Sequence, residues 1–266
     1  MLHRSISIYF AYFIRFLTAR MSYKGDFIAG VAANFFVTLS GIVFIVILLD
    51  GSVVPSLGGW KREEVLLIYG YSMIPMAIFG CIAPNLYGFG DKYIIQGQFD
   101  RVLLRPLDPL AQVLFESFNL DSIGTFLVGV VLVSWSAGQL GIEFSLLDYL
   151  WLLVSAFAGG TILLGIFVIL SSLSFHFEDR FGIAAPVYSL INFSRYPIPI
   201  YNRLIQVILT WVIPFAFASF YPVTRFLGRE GFTFYCYITP VVAVVVLLLS
   251  RVAWRIGISK YCSTGN

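Results

Sequence analysis

The sequence predicts an all-α integral membrane protein with six transmembrane helices. Of the 266 residues, 59% are hydrophobic and only 12% are charged, whereas a soluble domain carries about 25% charged residues. A chain with a mean hydropathy of +0.89 cannot be wetted by water on all sides, and it is too hydrophobic to be disordered. The composition therefore nearly excludes a soluble enzyme, and a net charge of +3 is too small to indicate nucleic-acid binding.

Six uncharged stretches are long enough to cross a bilayer. A helix rises about 1.5 Å per residue, so roughly 30 Å of hydrocarbon requires about 20 residues. The alternation of apolar and polar residues that a transmembrane barrel would need is absent. The predicted spans are 27–49, 65–84, 122–142, 149–175, 204–224 and 232–250.

The first 24 residues predict an amphipathic helix that lies in the inner membrane interface. Arg4 and Arg15 fall opposite a face of apolar residues, which is typical of an interfacial helix. The segment is not a secretory signal, because Arg15 interrupts the apolar stretch and no cleavage site of small residues follows. A frayed N-terminal tail is the alternative interpretation. The apolar face consists of Ile6, Phe10, Phe13, Ile14 and Leu17.

Lysine and arginine residues are concentrated on one side of the predicted spans. They occur before the first span, in the loops around 85–121 and 176–203, and after the last span, whereas the opposite side carries only four. Because positive residues are retained in the cytoplasm, both termini are expected to be cytoplasmic in a multi-pass protein of the cell (inner) membrane. The four residues expected outside are Lys61, Arg62, Arg225 and Arg229.

The position of the fifth span is open between two layouts. A fourteen-residue uncharged stretch ends before Arg195. In the first layout this stretch is interfacial and 204–224 crosses the membrane. In the second, a short fifth span occupies about 180–196, and 204–224 enters from outside, bends at Pro214 and leaves on the same side as a re-entrant hairpin. The distribution of positive charge does not decide between the two layouts, since only Arg195 and Arg203 lie on different sides of the membrane in them.

Catalytic and metal-binding motifs are absent from the sequence. No HExxH, GxSxG or P-loop motif occurs, the two histidines are His3 and His176, and the three cysteines form no CxxC pair. The spans hold almost no ionisable side chain, so a proton relay has only Glu116 and Asp121 as candidates. We therefore expect no cofactor and no metal in this chain, and an amphipathic or lipid-like substrate suits its apolar spans.

The polar loop at 91–121 predicts a short amphipathic helix. Gly97 interrupts the loop, and Pro106 and Pro109 end the helix-like spacing that follows. The apolar face can be buried in the membrane or in a groove of another protein, and the spacing alone does not distinguish these two. The apolar residues are Phe99, Val102, Leu103 and Leu107, beside Asp100, Arg101 and Arg105.

Three segments resemble the ABC-2 type permeases. The segment 97–107, GQFDRVLLRPL, is similar to the loop after the second span in an uncharacterised and drug-exporter-like branch of that family. The region 193–222, which begins FSRYPIPIY, resembles the family's fifth-span exit and re-entrant outer helices. The tail 254–265, WRIGISKYCSTG, resembles the ending of the same branch.

The resemblance implies the permease subunit of an ATP-binding cassette exporter, with the type V exporter fold as a single domain over 1–266. Two such permeases, identical or sister chains, would pair with two cytoplasmic ATPase subunits, which would bind ATP and Mg²⁺, so this chain would not itself be an enzyme. The resemblance assigns 1–24 to a connecting helix, 91–109 to a coupling loop and 196–224 to the outer hairpin. The coupling residues would be Gly97, Phe99, Asp100, Arg101, Leu103, Leu104, Arg105, Pro106 and Leu107, and the hairpin or gate residues Tyr196, Pro197, Pro214 and Pro222.

Within the coupling loop, the residue types suggest separate tasks. Gly97 would permit a sharp turn into the helix, and Pro106 would direct the chain toward the third span. The apolar seat in an ATPase groove would consist of Phe99, Leu103 and Leu107, and the polar clamp of Asp100, Arg101 and Arg105.

The sequence also bears on dimer formation and on two alternative functions. The small residues Ser155, Gly159 and Gly160 permit close helix packing, either with a second subunit or within one chain. A lipid-modifying membrane enzyme would need a polar cluster at one membrane face, and a secondary carrier would need inner carboxylates and an internal repeat. We find neither in the sequence, so both remain the weaker alternatives.

Overall fold

The computed structural model describes residues 24–49, 56–177 and 184–262, together with Thr18. Most of the amphipathic helix predicted for 1–24 lies outside these residues. The described residues form helices joined by short turns, and they contain no β-strand beyond an isolated bridge between Leu57 and Trp60. The all-α membrane fold predicted from the composition is confirmed.

Five of the described helices are long and apolar enough to cross a membrane: α1, α2, α5, α6 and α10 as numbered below. They coincide with every predicted span except the fifth. In chain order the helices are α1 (Lys24–Leu48), α2 (Arg62–Ile82), α3 (Gln98–Leu103), α4 (Pro109–Phe115), α5 (Ser122–Gln139), α6 (Leu146–Phe177), α7 (Ala184–Ser194), α8 (Arg203–Val207), α9 (Phe215–Thr224) and α10 (Thr233–Ser259).

Helices α2 and α6 form the centre of the bundle, and α1 lies at its periphery. Buried residues make up 67% of the most apolar part of α2 and 61% of that of α6, but only 11% of that of α1. Glycine allows α5 to approach α2 closely, because a Cβ added to Gly129 would lie 2.9 Å from the carbonyl oxygen of Gly70. The bundle core is therefore built mainly from α2 and α6, together with α9, all of whose residues are buried.

The small residues of α6 pack within the chain. The buried hydroxyl of Ser155 accepts a hydrogen bond of 2.7 Å from Tyr71. A Cβ added to Gly159 would lie 2.9 Å from the carbonyl oxygen of Ala218 in α9, and one added to Gly160 would lie 3.0 Å from a side chain of α2. The small residues were expected to pack either against a second subunit or within one chain. In the structure they pack within one chain.

The segment after α7 is a re-entrant hairpin. The first limb is α8 with the turn that follows it, and the second limb begins with α9. The chain bends by 100° between the two limbs. The first limb begins just after Ile200, whose Cγ2 atom lies 3.1 Å from the Cβ position of Gly58. The second limb ends just before Arg229, which donates a 3.2 Å hydrogen bond to the carbonyl oxygen of Gly59. The start of the first limb and the end of the second lie at one end of the bundle, as the second layout requires. That the 11-residue α7 makes the fifth crossing stays a prediction.

Polar groups of the hairpin find partners inside the chain, as the low polarity of a membrane interior requires. The hydroxyls of Thr210 and Tyr221 lie 2.8 Å apart and join the two limbs. The Ser219 hydroxyl donates to the carbonyl oxygen of Ser194 at 2.6 Å, which fastens α9 to the end of α7. We call the end of the bundle that carries Gly58 and Arg229 the hairpin end, and the opposite end the loop end.

Candidate functional site

The loop between α2 and α5 is an ordered platform built on α3 and α4. Gly97 precedes α3 with φ +68°, a left-handed conformation that favours glycine, so the sharp turn predicted at this position is present. The carboxylate of Asp108 caps α4 by accepting a 2.8 Å hydrogen bond from its backbone. The buried amide of Gln112 in α4 donates to the carbonyl oxygens of Val102 at 3.0 Å and Leu107 at 3.1 Å. These bonds hold the two short helices together.

Phe99 is fastened to the transmembrane helices rather than to an outside partner. Its side chain is 0% exposed. The centroid of its ring lies 5.0 Å from those of Phe175 and Tyr261, 6.0 Å from that of Phe89 and 6.1 Å from that of Trp254. The seat predicted for Phe99 in an ATPase groove is therefore wrong, because α6, α10 and the chain's own tail already enclose the ring.

The charged residues at the start of α3 are also engaged within the chain. The Tyr261 hydroxyl donates to Asp100 at 2.9 Å, and burial, with the neighbouring carboxylate, raises the pKa of Tyr261 to about 12, so the hydroxyl stays a donor at neutral pH. Glu116 accepts a 2.6 Å bond from the guanidinium of Arg101 and a second bond from the Tyr93 hydroxyl. Burial, together with Glu116, raises the pKa of Tyr93. Asp100 and Arg101 thus fix α3 in place, whatever else they contact.

The end of α3 and the turn after it are exposed and largely apolar. Leu103 is 43% exposed and Leu104 is 85% exposed. Arg105 and Pro106 are exposed next to them, and Leu107 is half-buried. The sequence pattern grouped Phe99 with the leucines. Leu103 lies one turn after Phe99 on the same face of α3 but is partly exposed at the helix end, and Leu104 follows the helix and is exposed. No local signal separates them, because the burial of Phe99 depends on residues that are distant in sequence.

The four hairpin residues predicted as a gate lie along the hairpin and its approach. Tyr196 is half-buried with its ring 6.2 Å from that of Tyr69, and Pro197 is buried beside it. Pro214 stands at the bend between the two limbs. The carbonyl oxygen of Pro222 accepts a 3.1 Å hydrogen bond from the indole of Trp151. Their positions anchor the hairpin, and gating by them stays a prediction.

Long apolar helices joined by short turns define the class of multi-pass membrane proteins. The family model described as ABC-2 family transporter protein matches residues 35–265. The chain therefore belongs to the ABC-2 transporter family, and its role is that of a membrane transport permease. No curated protein and no solved structure matches the chain.

Proposed function

We propose that this chain is the permease subunit of an ATP-driven exporter for an amphipathic or lipid-like substrate. The observation that carries this proposal is the contrast between the two ends of α3. Its C-terminal end and the turn after it expose Leu103 and Leu104, whereas Phe99 near its start is packed against α6 and α10. A stiff helix that joins a surface to two spans transmits the movement of a bound ATPase, which a solvated loop cannot do.

The proposed energy source is a separate ATPase that binds ATP and Mg²⁺. The absence of a P-loop motif from the sequence supports a partner in this role. Leu103 and Leu104 form its docking surface, with the exposed Arg105 at the edge. The distribution of lysine and arginine supports a cytoplasmic loop end, cytoplasmic termini and location in the inner membrane.

A second permease chain, identical or a sister, is proposed to face α1 and the hairpin. The small buried fraction of α1 supports this arrangement, since Phe36 is 67% exposed and Val37 is 71% exposed. Cysteines introduced at the hairpin of two tagged copies should form cross-links between them. A particle that stays monomeric while it holds the ATPase would contradict the paired arrangement.

The decisive experiment replaces Leu104 with serine. Burial of one leucine contributes about 1.5–3 kcal/mol, and roughly 1.4 kcal/mol corresponds to a tenfold change in affinity. The Leu104→Ser permease should therefore bind its ATPase about tenfold more weakly, measured by titrating the purified permease with P-loop ATPases encoded in the same genome. The matched control is Leu146→Ser, which removes a leucine that is equally exposed, at 85%, at the hairpin end. Equal ATPase affinity of both variants and the unmodified chain would refute the docking surface.

A further inference from the structure

A cavity of about 380 Å³ opens between α1, α2, α5 and α7. Its wall combines apolar side chains with amides, hydroxyls and one guanidinium. Apolar and polar groups in one concave site are typical of ligand pockets. Characteristic residues of the wall are Asn34, Thr38, Tyr69, Met76, Tyr188 and Arg195.

Arg195 is half-buried and lines this cavity; the sequence left it open between a connecting loop and the end of a short fifth span. Its Nη2 atom is 3.2 Å from the sulfur of Met76, and its guanidinium carbon is 5.8 Å from the centre of the Tyr69 ring. Met76 is fourteen residues from the start of α2, which places this contact roughly 21 Å along that helix. The guanidinium therefore sits at membrane depth, where an ionisable group is costly and marks a functional site.

The positive charge of Arg195 is not neutralised by a carboxylate in the part of the chain that the structure describes. A methionine sulfur is a weak acceptor, and the Nε atom of Arg195 is buried without a hydrogen-bond partner. A buried donor without a partner is rare in proteins and requires an explanation. Arg195 thus brings to the cavity wall a positive charge that no described carboxylate pairs with.

The one carboxylate of the cavity wall, Asp121, is nearer the loop end. It lies against α1, since a Cβ added to Gly30 would be 2.8 Å from its Oδ2 atom. The nearby backbone amide of Asn119 donates to the carbonyl oxygen of Cys81, five residues beyond Met76 along α2, which is a rise of about 8 Å. The cavity therefore has a positive inner part and a separate acidic edge.

We infer that this cavity binds the acidic headgroup of an anionic amphiphile, a phosphate or carboxylate on an apolar tail, with Arg195 as its positive partner. A guanidinium forms paired hydrogen bonds to either oxyanion. The apolar tail lies along Val37 and Met73, which line the same cavity. The inference rests on the proposed function, because it identifies the bound amphiphile with the transported substrate. It narrows the substrate class to acidic molecules.

Binding is tested on the purified permease without any ATPase, in phosphatidylcholine nanodiscs. Titration with dodecyl phosphate, followed by intrinsic fluorescence, should show saturable binding. Arg195→Gln should weaken it about tenfold or more, because a charge-assisted pair is lost, and Arg195→Lys should restore part of it. Arg203→Gln is the matched control, since Arg203 is exposed and lies eight positions away, outside the cavity wall. This variant should bind dodecyl phosphate as tightly as the unmodified chain does.

Three outcomes would overturn the inference. Inorganic phosphate that competes as well as dodecyl phosphate would show a site for a free anion rather than for an amphiphile. Equal binding of dodecylphosphocholine would show that net negative charge is not recognised. Unchanged dodecyl phosphate affinity in Arg195→Gln, with an unchanged unfolding midpoint, would remove Arg195 from the site. Because the assay contains no ATPase, failure of the proposed energy coupling leaves its result unaffected, and the two failures are distinguishable.

Discussion

Replacement of Phe99 by alanine should release the α3 platform from the transmembrane helices. The ring is 0% exposed and has four aromatic neighbours with centroids 5.0–6.1 Å away. Truncation of a phenylalanine in a packed core costs about 3–5 kcal/mol, and the edge-to-face contacts account for part of this cost. The free energy that holds α3 against α6 and α10 should fall by that amount.

Hydrogen exchange and thermal unfolding of the purified permease measure this loss. Backbone amides of α3 should exchange faster by about two to four orders of magnitude in Phe99→Ala, since each 1.4 kcal/mol is roughly a factor of ten, and the unfolding midpoint should fall. The control is Phe157→Ala, which truncates a phenylalanine of α6 that is 57% exposed, and it should leave α3 protected. Unchanged exchange in Phe99→Ala would refute the reasoning that this ring anchors the platform.

The same variant separates anchoring from docking. Phe99→Ala leaves the side chains of Leu103 and Leu104 unchanged, so the ATPase should still bind, while stimulation of its hydrolysis by substrate should be lost. Leu104→Ser should do the reverse and weaken ATPase binding with no change in permease stability. If both variants weakened binding to the same degree, the two ends of α3 would not have separate tasks.

Two further predictions concern the hairpin. Gly159→Ala should destabilise the permease by about 1–3 kcal/mol, because the new Cβ would lie 2.9 Å from the carbonyl oxygen of Ala218. The control Gly138→Ala, whose new Cβ meets nothing within 4 Å, should not lower the stability. Equal unfolding midpoints of the two variants would contradict this packing. Single cysteines at Arg203 and Gly228, in a chain freed of its own cysteines, should react with an impermeant thiol reagent from the same side of the membrane, and labelling from opposite sides would show that the segment crosses.

Composition and hydrophobic pattern were enough to predict the membrane class and most spans. An uncharged stretch of about 20 residues forms a helix in lipid, because its backbone N–H and C=O groups must form hydrogen bonds with one another. Helices α1, α2, α5, α6 and α10 therefore appear where the sequence predicted spans. The resemblance of three segments to the ABC-2 type permeases indicated the family, and the family match over 35–265 confirms that membership.

Only the tertiary structure decided which way each loop side chain faces and which layout the hairpin has. Phe99 and Leu104 are five residues apart and similarly apolar, and their difference in burial arises from Phe175 and Tyr261, which are distant in sequence. The contact of Arg195, just after α7, with Met76 in α2 was likewise not predictable from local sequence, because the two residues are 119 positions apart. Local pattern fixes whether a segment is helical, but burial and pairing depend on contacts between segments far apart in the chain, which no window of the sequence contains.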